Sequence, residues 1–578
     1  MTLFIRRTAI VLVTLFILLI IILNSPVCAQ EKAGAVHKQL EKKEITPPKA
    51  PKKPVIEQKQ EEATRQIPAG TNILVRKINV TVQGKSPAEA KPLLDPQIIT
   101  AITSKYENKE MDIAQMNRIA EEITTAYRNQ GYLVAYALIP QQEIRDGILQ
   151  ITVIESKVGQ IDVNGNSSYS SNFIQKHLQK TKKDPSLREA TLDRALLILN
   201  DYPSLDVKAA LKAGGDFGTT DITAQVKDSR PFSGSLSYDN FGSDTTSQSR
   251  LNAELNIGNL IASGDLLMLR GLTGLDKIDL ENLSYGRIEY IIPVIYNGTK
   301  AGIYYSNSIY EAGEQYAILD IQGKAHVAGA YLTHPLVKTR TTSLDVKFGF
   351  DYKDIYEYML DETTSEDNIR VFNLGLNYNI VDGFYGRNIL NFSYYQGIRD
   401  LFGGNGEKDP GTSKMNADGG FSKGTLDLAR IQKLSGYNYL ILRASGQYSN
   451  DDLFVAEQFF LGGVGSIRGF SSSALSGDKG YSISGELYIA PPYPETKIFN
   501  QNLGDTVKLV LFADHGGVFK NDVQPGEDKD DYLTSIGVGM RLYATRYVSA
   551  RLDWAVPRID DKFKTNHSVT YVQAAFNF

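Results

Sequence analysis

The sequence predicts two tandem α+β modules followed by an all-β transmembrane barrel of about 16 antiparallel strands. Three observations carry that expectation. A strand–helix–helix–strand–strand pattern occurs twice between Ile73 and Val226. Helical periodicity disappears after Pro231. From Phe232 to Phe578, about sixteen strand-length segments alternate apolar and polar residues between turns rich in Gly, Asn and Asp.

The amino terminus reads as an export signal. Arg6 and Arg7 precede an apolar run from Thr8 to Leu23, which Asn24, Ser25 and Pro26 break. Val27-Cys28-Ala29 then offers a cut before Gln30, so residues 1–29 are expected to be a secretory signal peptide. An uncleaved anchor is the alternative, because the apolar run is long. A lipoprotein reading is disfavoured by Val27, which stands where such sites want a small residue. Cys28 is the single cysteine, so cleavage after Ala29 excludes disulfides and thiol chemistry. Residues 30–70 are rich in Lys, Glu, Gln and Pro and bury too little apolar surface to order themselves, which predicts a flexible linker. A short helix from Val36 to Glu44 is the one element expected in it, with a thin apolar face.

The first module is expected at 71–157. A strand covers Ile73–Val82, and a helix follows from the N-cap Asp95 and Pro96 to Tyr106. A second helix from Asp112 places Ile113, Met116, Ala120, Ile123 and Tyr127 on one stripe, with Gly131 as its C′ residue. Strands follow near Tyr132–Ile139 and Ile148–Glu155. The second module, at 158–229, repeats the order with Gln160–Val163, Ser171–Gln179, Ser186–Asn200, Ser204–Lys212 and Asp221–Val226. Its helical stripe is Leu192, Ala195, Leu196 and Leu199.

Residues 230–578 are expected to form the barrel. In Val548–Val556, Val548, Ala550, Leu552, Trp554 and Val556 share one face, against Ser549, Arg551, Asp553 and Ala555. Ile536, Val538, Met540 and Leu542 likewise face away from Ser535, Gly537, Gly539 and Arg541. Near the end, Val572, Ala574, Phe576 and Phe578 oppose Gln573 and Asn577. Lipid outside and water inside demand that alternation. A soluble β-sandwich also alternates, but would bury Arg551 and Asp553 in a dry core. The net charge of −4 gives no electrostatic case for a nucleic-acid partner.

Two segments resemble the two-partner secretion transporters of the outer membrane, the haemolysin secretion/activation proteins of the superfamily that joins POTRA domains to a barrel. Residues 131–155, GYLVAYALIPQQEIRDGILQITVIE, resemble the first POTRA domain of that family through Gly131-Tyr132, Pro140-Gln141-Gln142, Asp146-Gly147 and the closing Val-Ile-Glu. Residues 458–470, QFFLGGVGSIRGF, look like the tip of its long inward-folded sixth loop. The family's Val-Arg-Gly-Tyr stands here as Ile467-Arg468-Gly469-Phe470. A third match is Phe512, Asp514 and Gly516, which resemble the family's Phe-x-Asp-x-Gly strand motif. Phe578, with Phe576 on the same face, resembles the carboxy-terminal signal read by outer-membrane assembly machinery.

The residues also have a reading of their own. Residues 450–480 carry two Gly clusters between strands, which is a long loop able to fold into a lumen. Arg468 offers a planar fork of donors, and Asp514 a carboxylate that accepts two of them. Asp514 shares a strand face with Lys508, while Leu509, Leu511 and Ala513 occupy the other. The resemblance implies that Arg468 and Asp514 pair inside the barrel and pin the loop tip. It further implies a fold of POTRA repeats before the barrel, and export of an unfolded periplasmic exoprotein, an adhesin or haemolysin, to the cell surface. The partners expected are that exoprotein, outer-membrane lipid and, during biogenesis, the barrel-assembly machinery, with no nucleic acid. The segment 30–70 is where some relatives carry a plug helix. No HExxH, P-loop or GxSxG occurs, and the six histidines are scattered, so no catalytic residue, metal or cofactor is expected. Alternative readings are an assembly insertase of the same superfamily and a passive porin.

Overall fold

The computed structural model describes residues 32–41, 56–58, 72–83, 91–277, 282–523, 527–558 and 568–578. The leader expected at residues 1–29 lies outside them.

The first α+β unit forms as its caps dictate. The Asp95 carboxylate accepts the Gln97 N–H at the head of helix Pro96–Thr103, and proline sits where the missing N–H costs nothing. Asp112 and Gln115 cap helix Ile113–Asn129 reciprocally, and Met116, Ile119, Ala120, Ile123 and Tyr127 form its buried stripe, whereas Ile113, expected on it, is exposed in the first turn. The two helices cover a sheet in which Lys77–Val82 runs parallel to Ile148–Ile154, with Tyr136–Leu138 antiparallel on the other side. Two expectations need correction. The strand expected over Ile73–Val82 is broken at Arg76, because Ile73–Val75 leaves the sheet to pair with Lys109–Met111. The strand expected from Tyr132 is a ladder only over Tyr136–Leu138. Leu133 instead donates its N–H to the Leu187 carbonyl of the second unit, which joins the two units closely.

The second unit repeats the order with its own core, built on Ile174, Leu178, Leu192, Leu196, Leu199 and Ile222. Its helices are Ser171–Leu178 and Glu189–Asn200, and its strands are Lys157–Asn164, Leu205–Ala213 and Thr219–Asp228. The second helix starts later than expected from Ser186, because the Leu187 N–H is already committed to the Ser156 carbonyl. Along the outer edge strand Leu205–Ala213, the segment Ile56–Gln58 adds a parallel strand. The unit sits on the barrel's turns: Tyr296 packs on Phe173 and His177, and Arg340 pairs with Asp193 at 2.6 Å.

Sixteen antiparallel strands then close a barrel, the first, Phe232–Asp239, pairing with the last, Val569–Asn577. Among the described residues no helix is long and apolar enough to cross a membrane. The outer face instead carries an apolar belt: Leu509, Leu511, Val538, Trp554 and Phe576 are each about half exposed. Alternate residues turn inward, and in strand Val507–Phe519 these are Lys508, Val510, Phe512, Asp514 and Gly516, all buried.

Candidate functional site

The lumen is filled from two directions. One filling is the loop 449–478, which runs between strands Tyr439–Tyr448 and Lys479–Ile489 and folds back inside. A short hairpin, Phe459–Leu461 with Leu475–Gly477, stiffens its stem. Gly469 at the tip has φ +90° and lies against Pro557, so a side chain there meets both backbone strain and a tight wall. Ile467 and Phe470 are buried, packed with Leu461, Val518 and Leu533.

Arg468, 2% exposed, lies flat against the wall. Its Nε and Nη2 donate to the two carboxylate oxygens of Asp514 at 2.7 and 2.8 Å, a bidentate fork. Its Nη1 donates to Glu486 at 2.6 Å, and the guanidinium carbon stands 3.5 Å from the centre of the Phe512 ring. The strand motif therefore has a division of labour. Phe512 is the platform, Asp514 the acceptor, and Gly516 the space, since a Cβ there would fall 3.3 Å from Ile467 and 2.6 Å from the Tyr481 carbonyl.

Sequence reasoning missed most of what surrounds this pair. Ser484 donates to Asp514 at 2.7 Å. Arg443 and Tyr488 donate to Glu486, and Arg541 and Arg551 to Asp553. The Gly469 N–H donates to the Tyr571 hydroxyl at 2.9 Å, and that hydroxyl donates to the Phe470 carbonyl at 3.2 Å. The available signal was the polar face of each alternating strand; what it lacks is the register that brings Glu486, Asp514 and Asp553 together. In this enclosed network, removing one partner leaves the others uncompensated, at a cost of about 3–5 kcal/mol.

The second filling is helix Ala33–Glu41, seated in the pore against strands Thr299–Glu311, Ile321–Lys338 and Thr342–Met359. The helix expected over Val36–Glu44 starts earlier, at Ala33, and residues 42–44 lie outside the described residues. Ala33, Gly34, Ala35, Val36, His37 and Leu40 are buried. Glu41 accepts from Arg287 at 2.7 Å and His37 Nδ1 meets the Ser308 hydroxyl at 2.8 Å. Gly34 rests on Ala456 of the loop, so closely that a Cβ would fall 2.6 Å from its backbone. Lys38 donates to the Gln458 carbonyl of the same loop. One loop thus holds the helix with its stem and the wall with its tip.

Phe576 and Phe578 are about half exposed on the outer face, near Phe232 at the closing strand. His515, beside Asp514, faces outward and meets the Tyr481 hydroxyl and Thr534.

Comparison with known proteins agrees with this architecture. The family model for haemolysin secretion/activation protein ShlB/FhaC/HecB matches residues 218–542, and that for the ShlB-type POTRA domain matches residues 80–156. The chain is 27% identical over 451 residues to the heme/hemopexin transporter protein HuxB of Haemophilus influenzae (strain 86-028NP), covering 76% of each protein. It is 24% identical over 406 residues to the outer membrane transporter CdiB of Dickeya dadantii (strain 3937), covering 68% of this chain and 70% of that one. CdiB from Escherichia coli has the same fold, with a TM-score of 0.68 at 20% identity over 94% of this chain and 95% of that one. BamA from Haemophilus ducreyi lacking POTRA domains 1–3 aligns with a TM-score of 0.52 at 14% identity, over 88% and 100%.

Proposed function

The chain belongs to the haemolysin secretion/activation protein family ShlB/FhaC/HecB, and from that premise we propose that it exports an unfolded exoprotein, an adhesin or haemolysin in class, from periplasm to cell surface. It is an outer-membrane transporter with its POTRA domain on the periplasmic side. The second unit, 158–229, acts as a second POTRA domain, and Arg468, Asp514 and their neighbours act as the lock of the pore. The observation that carries this reading is a lumen filled by two parts that are not strands of its wall, the loop 449–478 and the helix Ala33–Glu41. The loop tip is seated by Arg468 on Asp514 and by the Tyr571 hydroxyl, and the helix Ala33–Glu41 by Arg287 on Glu41 and by Lys38 on the Gln458 carbonyl. A passive porin has no use for a plug or for docking modules.

Substrate capture belongs to the exposed strand edges of the two units. Strand Leu205–Ala213 accepts Ile56–Gln58 as an added parallel strand, so its edge supports β-augmentation, by an extended chain that takes the place of that segment. Folding of the emerged partner outside supplies the drive. Lipid surrounds the apolar belt, and Phe576 and Phe578 serve assembly of the barrel by its machinery.

The test is secretion. The full chain is expressed in an outer membrane with candidate exoproteins, and their release into the medium is compared for wild type, Arg468→Ala and Asp514→Ala at equal barrel levels. Release that collapses in both variants supports the reading. No release with any partner, together with failed insertion of other barrels on depletion, replaces it with an assembly insertase.

A further inference from the structure

We propose that Tyr571 is a positioning residue of the loop lock, and that through it the state of the loop tip is passed to the seam where the barrel closes. The inference rests on reading the loop 449–478 as the gate. Tyr571 is 5% exposed and its hydroxyl is used twice, accepting from the Gly469 N–H and donating to the Phe470 carbonyl. Those two residues immediately follow Arg468. Fixing their backbone sets where the guanidinium fork begins, so the hydroxyl aims Arg468 at Asp514 without touching either. Tyr571 also stands directly opposite Asp553 on the neighbouring strand, the carboxylate that lies 3.5 Å from Arg468 Nη1.

Among the described residues the seam is the shortest ladder of the barrel. The first and last strands pair over five positions, Ser235↔Asn577 to Asp239↔Gln573, with a reciprocal pair of backbone bonds between Gly234 and Phe578 beyond them, whereas other neighbours pair over eight or more. Above Asp239 the junction is held by Asn240. Its N–H donates to the Val572 carbonyl at 3.2 Å, its side-chain amide donates to the Thr570 carbonyl at 2.9 Å, and its side-chain oxygen accepts the Val572 N–H at 2.7 Å. Thr570 and Val572 are therefore clasped to the first strand while Tyr571, between them, is bonded to the loop tip. Phe241, beside Asn240, packs edge-on against the Tyr571 ring at 6.1 Å. A tip that leaves its seat takes both bonds off the tyrosine and frees that ring to move against Phe241. The outer end of the seam then loses its inner support.

The test is hydrogen exchange by mass spectrometry on the full-length protein in lipid, without substrate, so it is judged separately from any secretion result. Barrel folding is checked by heat-modifiable migration. Tyr571→Phe keeps the ring and removes the hydroxyl. It is expected to speed exchange of the tip peptide around 463–472 about tenfold, the equivalent of the lost pair of hydrogen bonds. Asp514→Ala alone also frees the tip, and Tyr571→Phe added to it is expected to change little more, because both act on one seat. Arg468→Ala is expected to speed exchange at 570–573 with the rest of the barrel unchanged. Tip exchange unaffected by Tyr571→Phe, multiplying effects in the double variant, or a seam indifferent to Arg468→Ala overturns the inference.

Discussion

At the scale of single residues, the lock selects geometry more than charge. Arg468 is held by two parallel bonds to Asp514, a third to Glu486 and the face of Phe512. A lysine keeps the charge but presents one point donor with no plane to stack. Arg468→Lys is therefore expected to behave almost like Arg468→Ala, losing roughly 2–4 kcal/mol of tip seating. The measurement is single-channel conductance in planar bilayers. Long-lived open events in both variants fit the account, and wild-type closure in the lysine variant sinks it. This scale was also the least legible in the sequence. Arg468 and Asp514 stand in short motifs, so they can be named from a single chain. Glu486 and Tyr571 stand in none, and only the stagger of four strands puts them in reach. That stagger is a long-range property, set by pairings such as Ser484↔Asp514 and Asp553↔Tyr571.

At the scale of elements, stripes and caps were legible wherever the helix packs on its own unit. The helix Ile113–Asn129 shows Asp112, Gln115 and a stripe at steps of three and four. The pore helix was harder, because its buried face is made of Ala33, Gly34 and Ala35, small residues fitted to a lumen whose shape comes from elsewhere. That fit gives a direct expectation. Gly34→Leu has no room beside Ala456 and should unseat the helix by about 2–4 kcal/mol, giving a leaky pore with secretion retained. Uptake of a large antibiotic by growing cells reads this, and an unchanged permeability barrier argues against the seat. The second unit carries a pH expectation. His177 is 2% exposed between the Phe173 carbonyl and the Tyr202 hydroxyl. Burial pushes its imidazole from 6.5 down to about 4, against the raising effect of the Phe173 carbonyl. The unfolded chain thus binds a proton between about pH 6.5 and 4 that the folded unit refuses. Stability is whole above 6.5 and falls as pH drops, by about 2 kcal/mol at pH 5. Exchange protection of 171–199 at pH 7 and 5 measures the fall, and His177→Phe should flatten it.

At the scale of the whole molecule, the question is what holds the second unit to the barrel. Two kinds of contact compete for the answer. Ion pairs are prominent, with Arg340 meeting Glu189 at 3.0 Å and Asp193 at 2.6 Å. Arg340 and Glu189 are each about 40% exposed, however, so that pair contributes at most about 1 kcal/mol, and the pair with the more buried Asp193 shares the same solvent-screened guanidinium and weakens with it in salt. The other contact is the aromatic seat. Phe173 and Tyr202 stand 5.0 Å apart, Lys300 lies over the Tyr202 ring, and the turn residue Gly264 slots beneath both rings with φ +90°. A Cβ on Gly264 would fall 2.6 Å from the Phe173 ring. Valine there adds overpacking to left-handed strain, together about 2–5 kcal/mol. Spin labels at Lys212 and Lys433, one on each side of the joint, report its spread by electron-spin distance measurement. Arg340→Ala should leave a narrow distribution at 0.15 M salt, which is about the ionic strength where surface pairs are screened. Gly264→Val should broaden it. The reverse result would make the joint electrostatic, and ionic strength would then govern how firmly the second unit is held against the barrel.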